Sequence, residues 1–262
     1  MTHRNYLAAS IALAVAGIAS PTLAQEQEST SRLEELVVVG TRSEQQLGSI
    51  PAGVSVVNMD DIQLGRQELG LDESLARVPG LIMQNRYNFS QDLRVSIRGF
   101  GARANFGMRG IKVYSDGIPD TLADGQSGTD DLDIGSAQSV EVVRGPSAAL
   151  YGTASGGVIS LTTEEPTEEP FIETKVTAGE YGHQKLQVKA GGQTGRLGYL
   201  VNVSHLEMDG YRDYSGVQHS LINSKFRYDL DADSDIQLIA NAVNSPYAQD
   251  AGGVTLADVA AD

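Results

Sequence analysis

The chain has 262 residues, with 19 Lys and Arg against 34 Asp and Glu, a formal charge of -15 and a pI near 4.6. So acidic a composition excludes nucleic acid as a partner, because phosphates call for clustered lysine and arginine. Cysteine is absent. Disulfides and thiolate metal sites are therefore excluded, and stability must come from packing and backbone pairing.

In chain order, residues 1–24 read as an export signal. His3 and Arg4 precede an apolar stretch from Tyr6 to Ile18, and Thr22 and Ala24 supply the small residues a signal peptidase needs before Gln25. The apolar stretch is shorter than the roughly 20 residues of a spanning helix. Residues 25–48 are polar apart from EELVVVGTR, Glu34 to Arg42, and read as a flexible arm. Three consecutive valines on such an arm form an exposed edge that needs a designated partner.

Residues 49–165 read as a compact α+β domain with four or five short strands. AGVSVV, Ala52 to Val57, alternates like a strand, and Asn58 to Asp61 offers helix caps. In LDESLARVPG, Leu71, Leu75 and Val78 recur at helical spacing before a Pro-Gly stop. LIMQN, VSIRG, IKVYSDG, SVEVVRG and GVISLTT follow as strand-like runs, and the glycines crowded between Gly99 and Gly157 mark tight turns.

From residue 166 the period changes to two. Ile172, Thr174, Val176 and Ala178 alternate with Glu173, Lys175 and Thr177, and four similar runs follow, around residues 185–190, 199–204, 222–228 and 236–241. A soluble antiparallel sheet shows the same alternation. An export signal, strands of roughly ten residues and tyrosines near strand ends (Tyr181, Tyr199, Tyr228) favour transmembrane β-barrel strands. GGQTGRLG and DLDADSD read as tight turns, whereas EMDGYRDYSGVQ reads as a longer outer loop.

The chemistry-bearing candidates are few. GFGARA, Gly99 to Ala104, fits a dinucleotide fingerprint in letters but lacks the helix that must follow it. Asp124, Asp130, Asp131 and Asp133 form an acidic loop that reads as hydrated rather than as a cation site. His3, His183, His205 and His219 show no ligand spacing, and no nucleophile, base and orienter can be assembled. The chain therefore reads as no enzyme, with no cofactor and no metal site. Arg86, Arg94, Arg98, Arg103 and Arg109 crowd a stretch whose one acid is Asp92. Arg86, Arg103 and Arg109, with Tyr87, Phe89 and Phe106, read as a positive, aromatic concavity for an anionic ligand, or as partners of acids on a surrounding wall.

The order of export signal, EELVVVGTR, LDESLARVPG, VSIRGFGARANFGMRGIKVYSDGIP, VEVVRGPSAALYGTASGGVISL and amphipathic strands resembles TonB-dependent outer-membrane receptors. The resemblance implies an α+β plug domain followed by the first strands of an antiparallel transmembrane β-barrel, in a bacterial cell outer membrane. It implies a TonB box at Glu35, Leu36, Val37, Val38 and Val39, which adds as a strand to periplasmic TonB, itself energised with ExbB and ExbD. It implies that Arg98 and Arg144 lock the plug against glutamates of the barrel. The implied ligand is a ferric siderophore or iron chelate; cobalamin, haem, another metal complex or an oligosaccharide are alternatives. Five strands are fewer than a closed barrel needs, so residues 166–262 are expected to be the first strands of a truncated barrel. A periplasmic plug module without transport activity is the other alternative.

Overall fold

The chain divides into two compact units, Met1–Glu35 and Leu36–Asp262. The computed structural model describes residues 52–84, 87–104, 107–145, 148–152, 154–231 and 233–253, with backbone alone at 37–38, 45–46 and 148–149. All lie in the second unit. The signal at residues 1–24, Glu35, Leu36, Val39, Arg86 and Phe106 lie outside the described residues.

The plug is built on a mixed five-stranded sheet. Its strands are β3 (Gly53–Asn58), β7 (Ile111–Ser115), β8 (Ile118–Pro119), β10 (Ala137–Arg144) and β11 (Gly157–Thr163), in the order β3-β10-β11-β7-β8. β10 sits between antiparallel partners, with Val142 opposite both Ser55 and Ile159, while β11 runs parallel to β7. Val140 and Val142 of β10, Ile159 and Leu161 of β11, and Val113 of β7 are fully buried. Two short helices cover this face: α1 (Met59–Gln63), with Asn58 at its N-cap position making no side-chain capping bond and Asp60 and Asp61 in its first turn, and α2 (Asp72–Leu75). Leu71, Leu75 and Val78 enter the same core, as their spacing predicts.

Two small ladders complete the plug: β4 (Leu81–Gln84) with β5 (Arg94–Ile97), and β6 (Met108–Arg109) with β9 (Gln126–Ser127). The plug thus carries more strands than the four or five expected. β6, β8 and β9 have two residues each, too few to leave a period in the sequence. The GTASGG turn depends on one backbone state. Gly157 has φ +144°, and a Cβ there would lie 2.2 Å from the Val143 carbonyl oxygen, so only glycine lets β11 enter its pairing with β10.

The five later strands form one antiparallel meander, the wall: β12 (Phe171–Ala178), β13 (Gln184–Thr194), β14 (Leu197–Met208), β15 (Val217–Asp229) and β16 (Asp235–Ala248). All five period-two runs became strands. Gly195 and Arg196 make the tight turn between β13 and β14, and Leu230–Ser234 closes β15 onto β16, with the Leu230 N–H donating to the Ser234 carbonyl. The outer face exposes Ile172, Val176, Leu186, Val188, Val203, Ile222, Ile236 and Leu238. So large an aliphatic face belongs to membrane-spanning strands rather than to a water-facing sheet. Among the described residues no helix is long and apolar enough to cross a membrane.

Candidate functional site

The inward face of the wall meets the plug through charge. Glu68, between α1 and α2, receives two wall lysines: Lys175 Nζ lies 2.5 Å from Oε1, and Lys185 Nζ lies 2.8 Å from its carbonyl and 3.4 Å from Oε2. Glu73 steadies this segment by accepting the N–H groups of Gln67, Glu68 and Leu69. Glu68 takes φ +55° there, a strained state for a non-glycine residue. Further along β13, Lys189 reaches Glu164 at 2.7 Å and Glu173 at 3.3 Å. On β15, Lys225 reaches Glu165 at 2.6 Å and Asp116 at 3.4 Å.

Amides continue the seat. Asn202 of β14 donates to both carboxylate oxygens of Asp133 at 2.8 Å, Asn223 donates to Ser136 Oγ at 2.9 Å, and Gln187 donates to the Gly135 carbonyl at 3.0 Å. Such groups are removed from water together, and burial without these partners would be costly. The sequence reading missed this seat. Its signal was present: Lys185, Gln187 and Lys189 recur every second residue on one face of a strand in an acidic chain.

Arg98 and Arg144 converge on Gly53. Arg144 Nε donates to the Gly53 carbonyl at 3.2 Å and Nη1 to the Pro79 carbonyl at 2.8 Å. The Arg98 N–H donates to the Gly80 carbonyl at 2.8 Å, with φ +49°, and its Nη2 lies 3.2 Å from where a Cβ on Gly53 would stand. Arg144 therefore clasps β3 to the chain leading into β4.

The residues expected to share one ligand surface are divided. Tyr87 lines a cavity of about 700 Å³, together with Leu69, Tyr181, His183, Met208 and Tyr211. Phe89, partly buried, packs against the cluster of Leu206, Met208 and Val217 and lines smaller cavities beside it. Arg103 and Arg109 are exposed and line a separate cavity of about 660 Å³ with Phe100 and Gln126. Tyr181, expected at a strand end, stands in the β12–β13 loop at φ +57° and meets Tyr211 edge to face, with centroids 5.3 Å apart.

The acidic loop is divided as well. Asp133 turns to the wall, and Asp124 accepts from Gln126 N at 3.0 Å and Nε2 at 2.6 Å. Asp130 instead bonds to Asp92, and Asp120 to Asp131. Burial, then the hydrogen bond and repulsion of Asp92 and the charge of Asp131, push Asp130 up to about 7. Burial and Asp131 push Asp120 up to about 6. Among the described residues no group of three or more His, Asp or Glu is arranged to hold a metal ion. GFGARA forms turns: Gly101 has φ +87° and Cβ room is denied by the Val95 carbonyl 2.5 Å away.

On the arm, Val37–Val38 (β1) pairs antiparallel with Gln45–Gln46 (β2). The valine edge is thus occupied on one side, by a ladder two residues long.

Residues 46–158 match the family model described as TonB-dependent Receptor Plug Domain. The Pesticin receptor of Yersinia pestis is 30% identical over 228 residues, covering 82% of this chain and 33% of that protein. The Metal-pseudopaline receptor CntO of Pseudomonas aeruginosa (strain UCBPP-PA14) is 26% identical over 266 residues, covering 91% and 35%. The chain thus spans about a third of the length of these curated relatives. The solved structure of the pyoverdine outer membrane receptor FpvA from Pseudomonas aeruginosa PAO1, bound to pyoverdine, superposes with a TM-score of 0.65 at 20% identity, covering 80% of this chain and 30% of that one. That likeness shows the fold.

Proposed function

Since the chain belongs to the TonB-dependent receptors, its residues 46–158 matching their plug domain, we propose that it serves TonB-dependent active uptake of a ferric siderophore or related iron chelate across a bacterial outer membrane. The observation that carries this reading is the plug seated on a membrane-type wall by buried lysine–carboxylate pairs. A plug so held blocks passive leakage, and its polar joints can be broken and remade under a pull, which an apolar weld would resist.

Export by cleavage after Ala24 delivers the chain, and Glu35, Leu36, Val37, Val38 and Val39 engage TonB, energised with ExbB and ExbD. Among the described residues β1 pairs on one edge with β2 alone, and strand addition would use the other edge. Arg98 and Arg144 serve as plug locks, and Arg103 and Arg109 as a positive surface for an anionic ligand group. The likeness to a metal-pseudopaline receptor favours one second reading, in which the ligand is another metal complex.

The test is accumulation of labelled iron chelate by cells carrying this receptor, with and without an inner-membrane proton gradient. Binding in both states and accumulation only in energised cells is expected. Failure to accumulate any metal chelate when energised overturns the proposal.

A further inference from the structure

Among the described residues the tyrosine-lined cavity has no surplus positive charge. Its ionised lining is Glu180, Asp250 and Arg212. Both terminal nitrogens of Arg212 are already engaged, Nη1 with the Gly252 carbonyl at 2.7 Å and Nη2 with the Ala251 carbonyl at 3.0 Å. Asp250 accepts from Asn88 at 3.1 Å and Gln91 at 2.9 Å, which ties the segment after β16 to the plug. The Gly252 N–H, then these side-chain donors, hold its carboxyl below the usual range, so it stays ionised. His183, 3% exposed, adds no charge, because burial and the neighbouring Lys185 hold its pKa down. Neither of its ring nitrogens has a hydrogen-bond partner among the described residues.

The remaining lining sets neutral polar side chains, Gln67, Asn88, Ser215 and Gln249, beside apolar and aromatic ones. Leu69 and Met208 contribute apolar surface, and Tyr181 and Tyr211 hold their rings at 86° to each other, both exposed. About 700 Å³ is the size of a site for a drug-sized molecule. An anion entering it would meet two carboxylates and a guanidinium already committed to backbone, whereas tyrosine faces favour apolar or cationic surface. The cavity lined by Arg103 and Arg109 has the opposite character.

Resting on the receptor reading above, we propose that the tyrosine cavity binds the organic body of the chelate, and that the portion seated there is neutral or cationic with aromatic or aliphatic faces. The anionic metal centre of a catecholate-type complex does not enter it. Tyr211 and Tyr181 supply the contact, and Glu180 and Asp250 set the sign.

The experiment measures equilibrium binding of two iron-labelled probes to de-energised cells carrying the full receptor: a neutral ferric tris-hydroxamate and a trianionic ferric tris-catecholate. With Arg103→Gln and Arg109→Gln combined, which removes the separate positive surface, the neutral complex is expected to bind more tightly. Tyr211→Ala should weaken it about tenfold and Tyr211→Phe should not, since the ring face rather than the hydroxyl makes the contact. Glu180→Lys should narrow the preference for the neutral probe. Because Tyr211 and Glu180 are exposed, receptor levels in the outer membrane, read by immunoblot, should not change. Preference for the catecholate in the receptor lacking both arginines, or unchanged binding in Tyr211→Ala at normal receptor level, overturns this assignment and leaves the receptor reading standing. Binding of neither probe removes the iron-chelate reading, and this inference with it.

Discussion

Lys225, midway along β15, and Asp116, in the turn between β7 and β8, face each other with Nζ and Oδ1 3.4 Å apart and side chains only 2% and 4% exposed. Asp116 also accepts from the N–H and Oγ1 of Thr163, at 2.9 and 2.8 Å, where the plug hands over to the wall. One carboxylate thus joins the plug sheet, its last strand and the wall. Lys225→Met should leave that carboxylate buried without its cation and cost about 3 kcal/mol. The double variant with Asp116→Asn should cost less than the sum of the two single changes. The urea midpoint for exchange of β11 amides reads both, and full additivity would show that the two residues do not act as a pair.

Val38→Pro should abolish energised uptake while surface binding persists. Proline removes the donor and fixes φ within the two-residue β1 ladder, where Val38 pairs with Gln45. The measurement is labelled-ligand uptake against binding in the same cells. Uptake at the native rate would make EELVVVGTR an ordinary linker.

The carboxylates of Asp120 and Asp130 make plug stability depend on pH with a definite sign. Their folded pKa values, about 6 and about 7, lie above the ordinary value of 3.8. The folded state therefore binds more protons than the unfolded state between about pH 4 and pH 7, and stability falls as pH rises through that window. Asp130→Asn should flatten the upper part of the slope. Urea midpoints at pH 4.5, 6 and 7.5 would show it, and a midpoint rising with pH in the native chain would contradict the assignment.

Charge reversal at Arg103 and Arg109 should shift selectivity away from anionic chelates. Both line one cavity, and Arg109 lies close enough to help hold the Asp124 carboxyl down, after the bonds from Gln126. Arg103→Glu and Arg109→Glu should weaken ferric citrate binding relative to a neutral tris-hydroxamate, most at low ionic strength where screening is least. Loss of both ligands together with loss of receptor from the outer membrane would instead make these arginines structural.

The period-two runs from Ile172 to Asn241, the Leu71, Leu75 and Val78 spacing before Pro79-Gly80, and the glycine at 157 were legible in the sequence. Each follows from local geometry: side chains alternate across a strand, recur every three to four residues on a helix, and are barred where φ is positive. The tertiary structure alone decided the partners. Only the folded chain shows β10 between β3 and β11, because strand pairing across so many residues leaves no local trace. Nothing near Glu68 in sequence marks it as the acceptor of Lys175 and Lys185 across more than a hundred residues. Among 34 acids, burial against a particular wall lysine selects the ones that matter. The tyrosine cavity left no trace in the sequence for the same reason: the arginines are neighbours in sequence, whereas Tyr87, Tyr181 and Tyr211 come from three distant loops that meet only when the wall folds around the plug.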